Sequence, residues 1–436
     1  MKMTEANVCT QTPPWLVEKR IDEMKFCKAF FQKYGIACRG GKFYTTGGLL
    51  TDTRQLRQDI LAEIGEYVPS NVGRRVEQLL AVMRLMDYGT VCTRSDTLHV
   101  KNGTLVLGEG MLPFKHFCAH RFLANYDPNR PTPKIWTDFL NDLLEEGDIY
   151  TLQEFMGYCL VPTTRAQKML IITGRGGEGK SRIAVVMKAI FGDAMSVGSL
   201  AKLETNRFAR ADLEGKLVMV DDDLQMSALP DTNHIKSIVT ADVPMDLERK
   251  GEQSYQGLLY SRLMAFGNDT LQALHDRSYG FFRRQIILTA KPIRPDREED
   301  PFLGLKLIQE IDGIFTWCVE GLIRLTLNNF QFTITDSARR NLENSIRNSN
   351  NITEFLESNG YFSYDQNATV SSRQFYFVYK DWCEDNNLTT LSPRTFWTFL
   401  SQNAEQYGLR YDKNVSIGEG RLVRGFHGIR LDLRYR

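Results

Sequence analysis

Residues 169–181 read Met169-Leu170-Ile171-Ile172-Thr173-Gly174-Arg175-Gly176-Gly177-Glu178-Gly179-Lys180-Ser181. An apolar run of strand length opens into a glycine-rich turn with the spacing G-x-x-x-x-G-K-[ST]. A backbone wraps a phosphate chain closely only where no Cβ intervenes, and Gly174, Gly176, Gly177 and Gly179 remove that obstacle. The loop 174–181, with Arg175 and Glu178 between its glycines, is therefore read as a cradle for a nucleoside triphosphate, ATP. Lys180 reaches the β- and γ-phosphates, and the Ser181 hydroxyl ligates Mg²⁺. Beyond it, Ile183, Val186, Met187 and Ile190 recur at helical spacing, which predicts a helix whose N-terminus faces the phosphates.

Working outward, apolar strand-like runs alternate with helical stretches from Met169 to Ala290, the pattern of an α/β domain with a parallel sheet. The run Lys216-Leu217-Val218-Met219-Val220 ends in Asp221-Asp222-Asp223. Carboxylates at such a strand tip hold a metal and orient an attacking water. These roles fall on Asp221 and Asp222, with Asp223 taking part if the register moves by one. A further run, Arg262-Leu263-Met264-Ala265-Phe266, ends at Gly267-Asn268, placing a polar amide at the next strand tip. Phe281-Phe282-Arg283-Arg284 precedes the run Ile286-Ile287-Leu288, and either arginine is a candidate finger for a neighbouring subunit's site.

The rest of the chain bounds the reading. At 436 residues it holds two to four domains, and its 42% hydrophobic and 25% charged content is that of a globular protein. A net charge of +1 means that any nucleic-acid surface must be local. Eight cysteines without a C-x-x-C pair argue against a zinc ribbon and a disulfide framework, and for a reducing cytoplasm. No apolar run has the length of a membrane span, and the first residues lack the apolar stretch of a signal peptide. Residues 14–90 are predicted mainly helical, with a short strand at Lys42-Phe43-Tyr44, and the stretch from Val91 to Leu107 reads as strands with a hairpin turn at Asn102-Gly103. Proline-rich 127–133 leads to a helix pair, 303–327 reads as one amphipathic helix, and polar 344–351 reads as a linker.

The order of these motifs resembles a superfamily 3 helicase, and more narrowly the helicase part of phage, plasmid and poxvirus primase-helicases. Besides the nucleotide motifs, Asn125-Tyr126-Asp127-Pro128 through Gly157-Tyr158 is similar to that family's collar, and Glu310-Ile311-Asp312-Gly313 with Glu320-Gly321 to its lid. Phe377-Val378-Tyr379-Lys380-Asp381-Trp382 and Gly425-Phe426-His427-Gly428 resemble its terminal winged helix. The resemblance implies an AAA+-like P-loop core at 161–343, a mainly helical collar domain at 1–160, and a winged-helix DNA-binding domain at 352–436. It also implies a ring hexamer travelling 3′→5′ on DNA in a bacterial host's cytoplasm. A pore hairpin over 243–260 would place Arg249 and Lys250 against the threaded strand, with Tyr255 stacking or bracing. Two departures stand out. Three aspartates close the Asp221 strand where many relatives show glutamate, and residues 1–160 carry no D-x-D pair or zinc spacing of a primase, so any primase is a separate partner.

The C-terminal end is the most basic part of the chain, with Arg394, Arg410, Lys413, Arg421, Arg424 and Arg430, a distribution suited to duplex phosphates. Ser392-Pro393 predicts a capped helix start. His427 reads as a structural residue, because no second ligand stands at metal spacing. The expected activity is ATP-driven DNA unwinding; the alternative is an initiator that uses ATP only to switch. A small-molecule kinase has no use for a basic hairpin and a basic terminal domain.

Overall fold

The computed structural model describes residues 12–224, 232–251, 253–268, 279–349, 351–416 and 422–435, and only the backbone at 347–349 and 402. The chain forms two compact units, one up to Arg130 with residues 190–192, the other made of the remainder.

In the first unit, helices Glu23–Tyr34, Arg54–Ile64 and Val72–Leu85 bury Phe26, Phe30, Ile60, Leu79 and Met83 in one core. Asp22 caps the first helix by accepting from the Lys25 N–H at 3.0 Å. The expected short strand is Lys42–Thr45, and the expected hairpin pairs Thr97–Val100 with Gly103–Val106. Gly103 (φ +153°) is required there, because a Cβ would lie 2.3 Å from the Leu112 carbonyl oxygen. Arg121 fastens this hairpin by donating to the carbonyls of Val100 (2.5 Å) and Gly103 (2.9 Å).

The second unit is organised by a five-stranded parallel sheet: β1 (Met169–Thr173), β2 (Met195–Val197), β3 (Val218–Leu224), β4 (Arg262–Gly267) and β5 (Gln285–Thr289). Its spatial order is β2-β3-β4-β1-β5. The unbroken apolar runs follow from burial of both faces. Met169, Ile171, Leu263, Ala265 and Ile287 point one way, into a core with Leu200, Leu203, Ile235 and Ile238. Helices Glu146–Tyr158 and Ile311–Leu327 cross backbone to backbone. A Cβ on Gly321 would lie 2.3 Å from the Gln153 carbonyl oxygen, and one on Gly157 2.4 Å from that of Cys318. The fully buried Arg262 donates to the Cys159 carbonyl (2.7 Å) at the end of the first of these helices, joining it to the start of β4.

Three expectations change here. Residues 131–160, grouped with the N-terminal region in the sequence reading, pack in the second unit. The helix expected over 303–327 is two, Leu303–Gln309 and Ile311–Leu327, broken at Glu310. The Glu310 carboxylate turns to accept the Trp136 N–H (2.9 Å) at the start of helix Lys134–Leu143. The expected linker 344–351 is helical at Asp336–Ser349 and again from Asn351, because Leu342 and Ile346, one turn apart, pack onto the sheet's core.

The C-terminal part has helices Asn351–Leu356, Ser372–Asp385 and Pro393–Asn403, with an antiparallel sheet in which Leu422–Leu431 lies between Phe362–Ser371 and Arg410–Ser416. Ser392 accepts from the Thr395 N–H (3.2 Å) with Pro393 in the first turn, as the sequence predicts. No helix among the described residues is long and apolar enough to cross a membrane, and the described cysteines are all free thiols.

Candidate functional site

Parallel strands bring their carboxyl ends to one edge, and such sheets bind ligands in the crevice between two adjacent strands whose onward connections run to opposite sides. Here these are β1, which leads to β2 at one edge, and β4, which leads past β1 to β5 at the other, and the loop 174–181 leaves β1. Gly176 (φ +101°), Gly177 (+84°) and Gly179 (+99°) adopt conformations an L-residue avoids, and helix Ser181–Phe191 follows. The N–H groups of Arg175 and Gly176 point inward onto one anion, the Glu178 carboxylate, at 3.0 Å from Gly176. The Lys180 ammonium closes on the same carboxylate at 2.7 Å, with both side chains buried. Burial works to raise the pKa of Glu178, yet the Lys180 hydrogen bond and the backbone N–H groups hold it below the usual carboxylate value.

An open cavity of about 320 Å³ adjoins the loop and brings together Lys180, Ser181, Asp222, Asp223 and Asn268. The Asn268 Oδ1 lies 3.8 Å from where a Gly176 Cβ would stand, so the amide overhangs the loop.

Asp221 is not brought there. It is buried, and its Oδ2 accepts the Leu200 N–H at 2.7 Å, at the start of helix Leu200–Thr205. Ser199, at that helix's N-cap, makes no side-chain cap, so Asp221 supplies it across the sheet edge. Burial raises the Asp221 pKa. The reason for the reassignment is a β-bulge: Asp221 pairs with Ala265 but Leu224 with Gly267, so two residues of β3 oppose Phe266 alone. A bulge breaks the alternation of side chains and re-aims them. Both Asp222 and Asp223 are exposed toward the cavity as a result.

Arg283 and Arg284 lie at the far end of the sheet. The Arg284 carbonyl accepts the Met169 N–H (2.7 Å) at the beginning of β1, a strand's length, roughly 15 Å, from the loop. Arg284 is half-buried and its Nη1 holds the Gly280 carbonyl, whereas Arg283 is exposed.

The expected hairpin is present, Met245–Leu247 pairing with Tyr255–Gly257. Arg249 is held back by Glu214 (2.8 Å) and the Tyr255 hydroxyl (3.0 Å), and Tyr255 donates to the same Glu214 (2.8 Å), a bracing role. Lys250 is exposed at the turn. In the C-terminal sheet Arg424 is exposed, Arg430 pairs with Asp365, and Arg421 lies outside the described residues. His427 meets Asp412 (3.2 Å) across two strands, a structural contact.

A second cavity, of about 640 Å³, unannounced by any sequence motif, lies on the outer side of Gly177 and Gly179, lined by Phe139, Arg182, Arg294 and Asp300. Arg297 donates to the Glu178 carbonyl oxygen at 2.9 Å and braces the loop from that side. Nothing in the polar stretch 294–300 marks these residues, since neither periodicity nor motif attaches to them.

Residues 172–284 match a family of unknown function (DUF5906), and residues 347–418 match the family described as Poxvirus D5 protein-like. The fold is similar to that of the "A form apo structure of NrS-1 C terminal region" at a TM-score of 0.50 and 13% identity, covering 92% of this chain and 98% of that one. A second apo structure of the NrS-1 C terminal region (305–718) gives a TM-score of 0.50 at 12% identity over the same shares. At such identities the likeness speaks for the fold: mixed α/β with a parallel sheet and added helices.

Proposed function

We propose that this chain is an ATP-driven DNA helicase-translocase that acts in replication as a ring, related to the Poxvirus D5 protein-like group that its C-terminal stretch matches. The observation that carries the reading is the convergence of Lys180, Ser181, Asp222, Asp223 and Asn268 on one cavity beside a phosphate loop. The sheet order, with β1 between β4 and β5, supports an AAA+-like ATPase core over 161–343. The order helix, strand, two helices and then two strands, with the three strands in one antiparallel sheet, supports a winged helix over 352–436. Hexamer and 3′→5′ travel are carried over from the family resemblance.

The site's chemistry follows from its residues. The loop's N–H groups already hold one carboxylate, so the cradle fits an anion. A Mg²⁺ bound through one or two carboxylates and phosphate oxygens fits Ser181 with Asp222 and Asp223. When bound, it neutralises charge that develops on the β- and γ-oxygens. Lys180 places its ammonium against the same oxygens, and Asn268 orients the attacking water by its side-chain amide. One of the two exposed carboxylates, Asp222 or Asp223, accepts the water's proton. The second cavity, with Phe139 as an apolar wall, suits the base and ribose. Arg283 serves the neighbouring subunit, because its own loop is a sheet's length away.

The test is ATP hydrolysis with and without single-stranded DNA, together with displacement of an annealed strand. Lys180→Ala abolishes hydrolysis, and Lys250→Ala keeps basal hydrolysis while losing displacement. Hydrolysis indifferent to DNA and no displacement by the unmodified chain would transfer the reading to an ATP-switched initiator.

A further inference from the structure

The loop that should hold phosphate holds an anion of its own. Glu178 is a residue of the loop, yet its side chain is turned back into the cradle and is only 3% exposed. It takes the N–H groups of Arg175 and Gly176 and the Lys180 ammonium, the donors a triphosphate would need. The carboxylate sits tight against Gly174, where a Cβ would lie 2.7 Å from Glu178 Oε1 and 2.7 Å from Lys180 Nζ. Two facts of electrostatics make the arrangement consequential. A buried ammonium is costly unless paired, so in the absence of nucleotide Lys180 needs this partner. The partner is also an anion, so it and a phosphate cannot share the donors.

We propose that Glu178 is an internal stand-in for phosphate: it stabilises the nucleotide-free loop and must swing out before a di- or triphosphate can bind, which sets the affinity of the site. The proposal rests on the nucleotide reading above. The apparent dissociation constant is the intrinsic one divided by the fraction of molecules whose cradle is open, so a plug that closes most loops weakens binding in proportion. The depressed pKa of Glu178 agrees, since the carboxylate is better off in the cradle than in water. Arg297, which holds the Glu178 carbonyl, keeps the main chain in place while the side chain moves.

Two substitutions separate a plug from plain repulsion between Glu178 and nucleotide. Glu178→Gln removes the charge. Glu178→Asp keeps it and withdraws the carboxylate by one methylene, out of reach of the Arg175 and Gly176 N–H groups. Binding of a fluorescent ADP analogue without metal is measured for each, together with the melting temperature of the nucleotide-free chain. The expected result is at least tenfold tighter binding for both variants and a lower melting temperature for both without nucleotide. In the double variant with Lys180→Ala the losses of stability are not additive, because each side chain is the other's partner. This stability arm reads the plug independently of nucleotide. If the Asp variant binds like the unmodified chain, or the losses add, the stand-in is wrong while the nucleotide reading survives. If neither the unmodified chain nor either variant binds the ADP analogue, both readings fall.

Discussion

The sharpest consequence of the structure concerns three consecutive aspartates that look equivalent in sequence. Consider Asp221→Ala and Asp221→Asn. The Asp221 carboxylate accepts the N–H of Leu200 at 2.7 Å, and Leu200 is fully buried. A hydrogen bond to a charged acceptor contributes about 1.5–3 kcal/mol, and an orphaned buried N–H costs about 1–3 kcal/mol. Against this, the carboxylate is itself disfavoured by burial, as its raised pKa indicates. The net loss for Asp221→Ala is therefore about 2 kcal/mol. For a unit of about 300 residues that lowers the melting temperature by roughly 3 °C. Asn keeps an acceptor and sheds the buried charge, so Asp221→Asn should cost under about 1 kcal/mol. Its ATP turnover should stay within about threefold of the unmodified chain, under ~0.7 kcal/mol of barrier. Asp222→Asn and Asp223→Asn invert the pattern. Both side chains are exposed at the cavity, so melting is unchanged, while loss of the residue that handles the water's proton lowers turnover by about 10²-fold or more. Steady-state ATPase rates and thermal melts on the three variants decide the matter. A capping role for Asp221 is refuted if Asp221→Asn abolishes turnover at an unchanged melting temperature while Asp222→Asn and Asp223→Asn both turn over normally.

Two further outcomes concern Arg283 and His99. Arg283→Ala should leave nucleotide affinity unchanged and lower turnover by ~10³–10⁵-fold. Mixing it with Lys180→Ala chains should restore part of the activity, since some interfaces then pair an intact Lys180 with an intact Arg283; no recovery in the mixture would place the arginine's role within one chain. In the first unit, burial together with the nearby Arg121 and His116 lowers the His99 pKa from 6.5 to about 4. Below pH 6.5 the unfolded chain takes up a proton that the folded one refuses, so stability present above pH 6.5 is lost as the pH falls to about 4. The loss is on the order of 3 kcal/mol. Urea unfolding at pH 7 and pH 4.5 should show a slope that His99→Gln flattens.

What could be read from the chain and what could not divides along a physical line. Local chemistry was legible. Gly176, Gly177 and Gly179 of the loop adopt positive-φ conformations that favour glycine, Ser392-Pro393 starts a helix, and Gly103 closes a hairpin. Each of these is decided within a few residues by sterics or a hydrogen bond. The direction of Asp221 was not legible, because it depends on how β3 registers against β4, some forty residues away. Polar 344–351 looked like a linker because composition outweighed one apolar pair, Leu342 and Ile346, whose importance appears only against the core they cover. The break at Glu310 has the same origin: its carboxylate is recruited by the Trp136 N–H, a partner far away in sequence.

The polarity of the parallel sheet ties these points to the proposed ring. Because every strand runs the same way, groups placed at strand ends by motif are sorted automatically: Lys180 and Asn268 follow the ends of β1 and β4, Asp222 and Asp223 lie among the last residues of β3, and Arg283 precedes the start of β5. The β1–β5 pairing is in register from Met169–Gln285 to Thr173–Thr289, which holds Arg283 at the opposite edge from its own loop. No rotamer of one side chain spans that separation, and moving the arginine across would require breaking a central strand pair. Under the proposed function, a chain built this way carries the phosphate-holding half of one site and the arginine half of another. Head-to-tail repetition of that contact closes into a ring when the rotation permits, so on this proposal the need for neighbours follows from strand direction before any interface is considered.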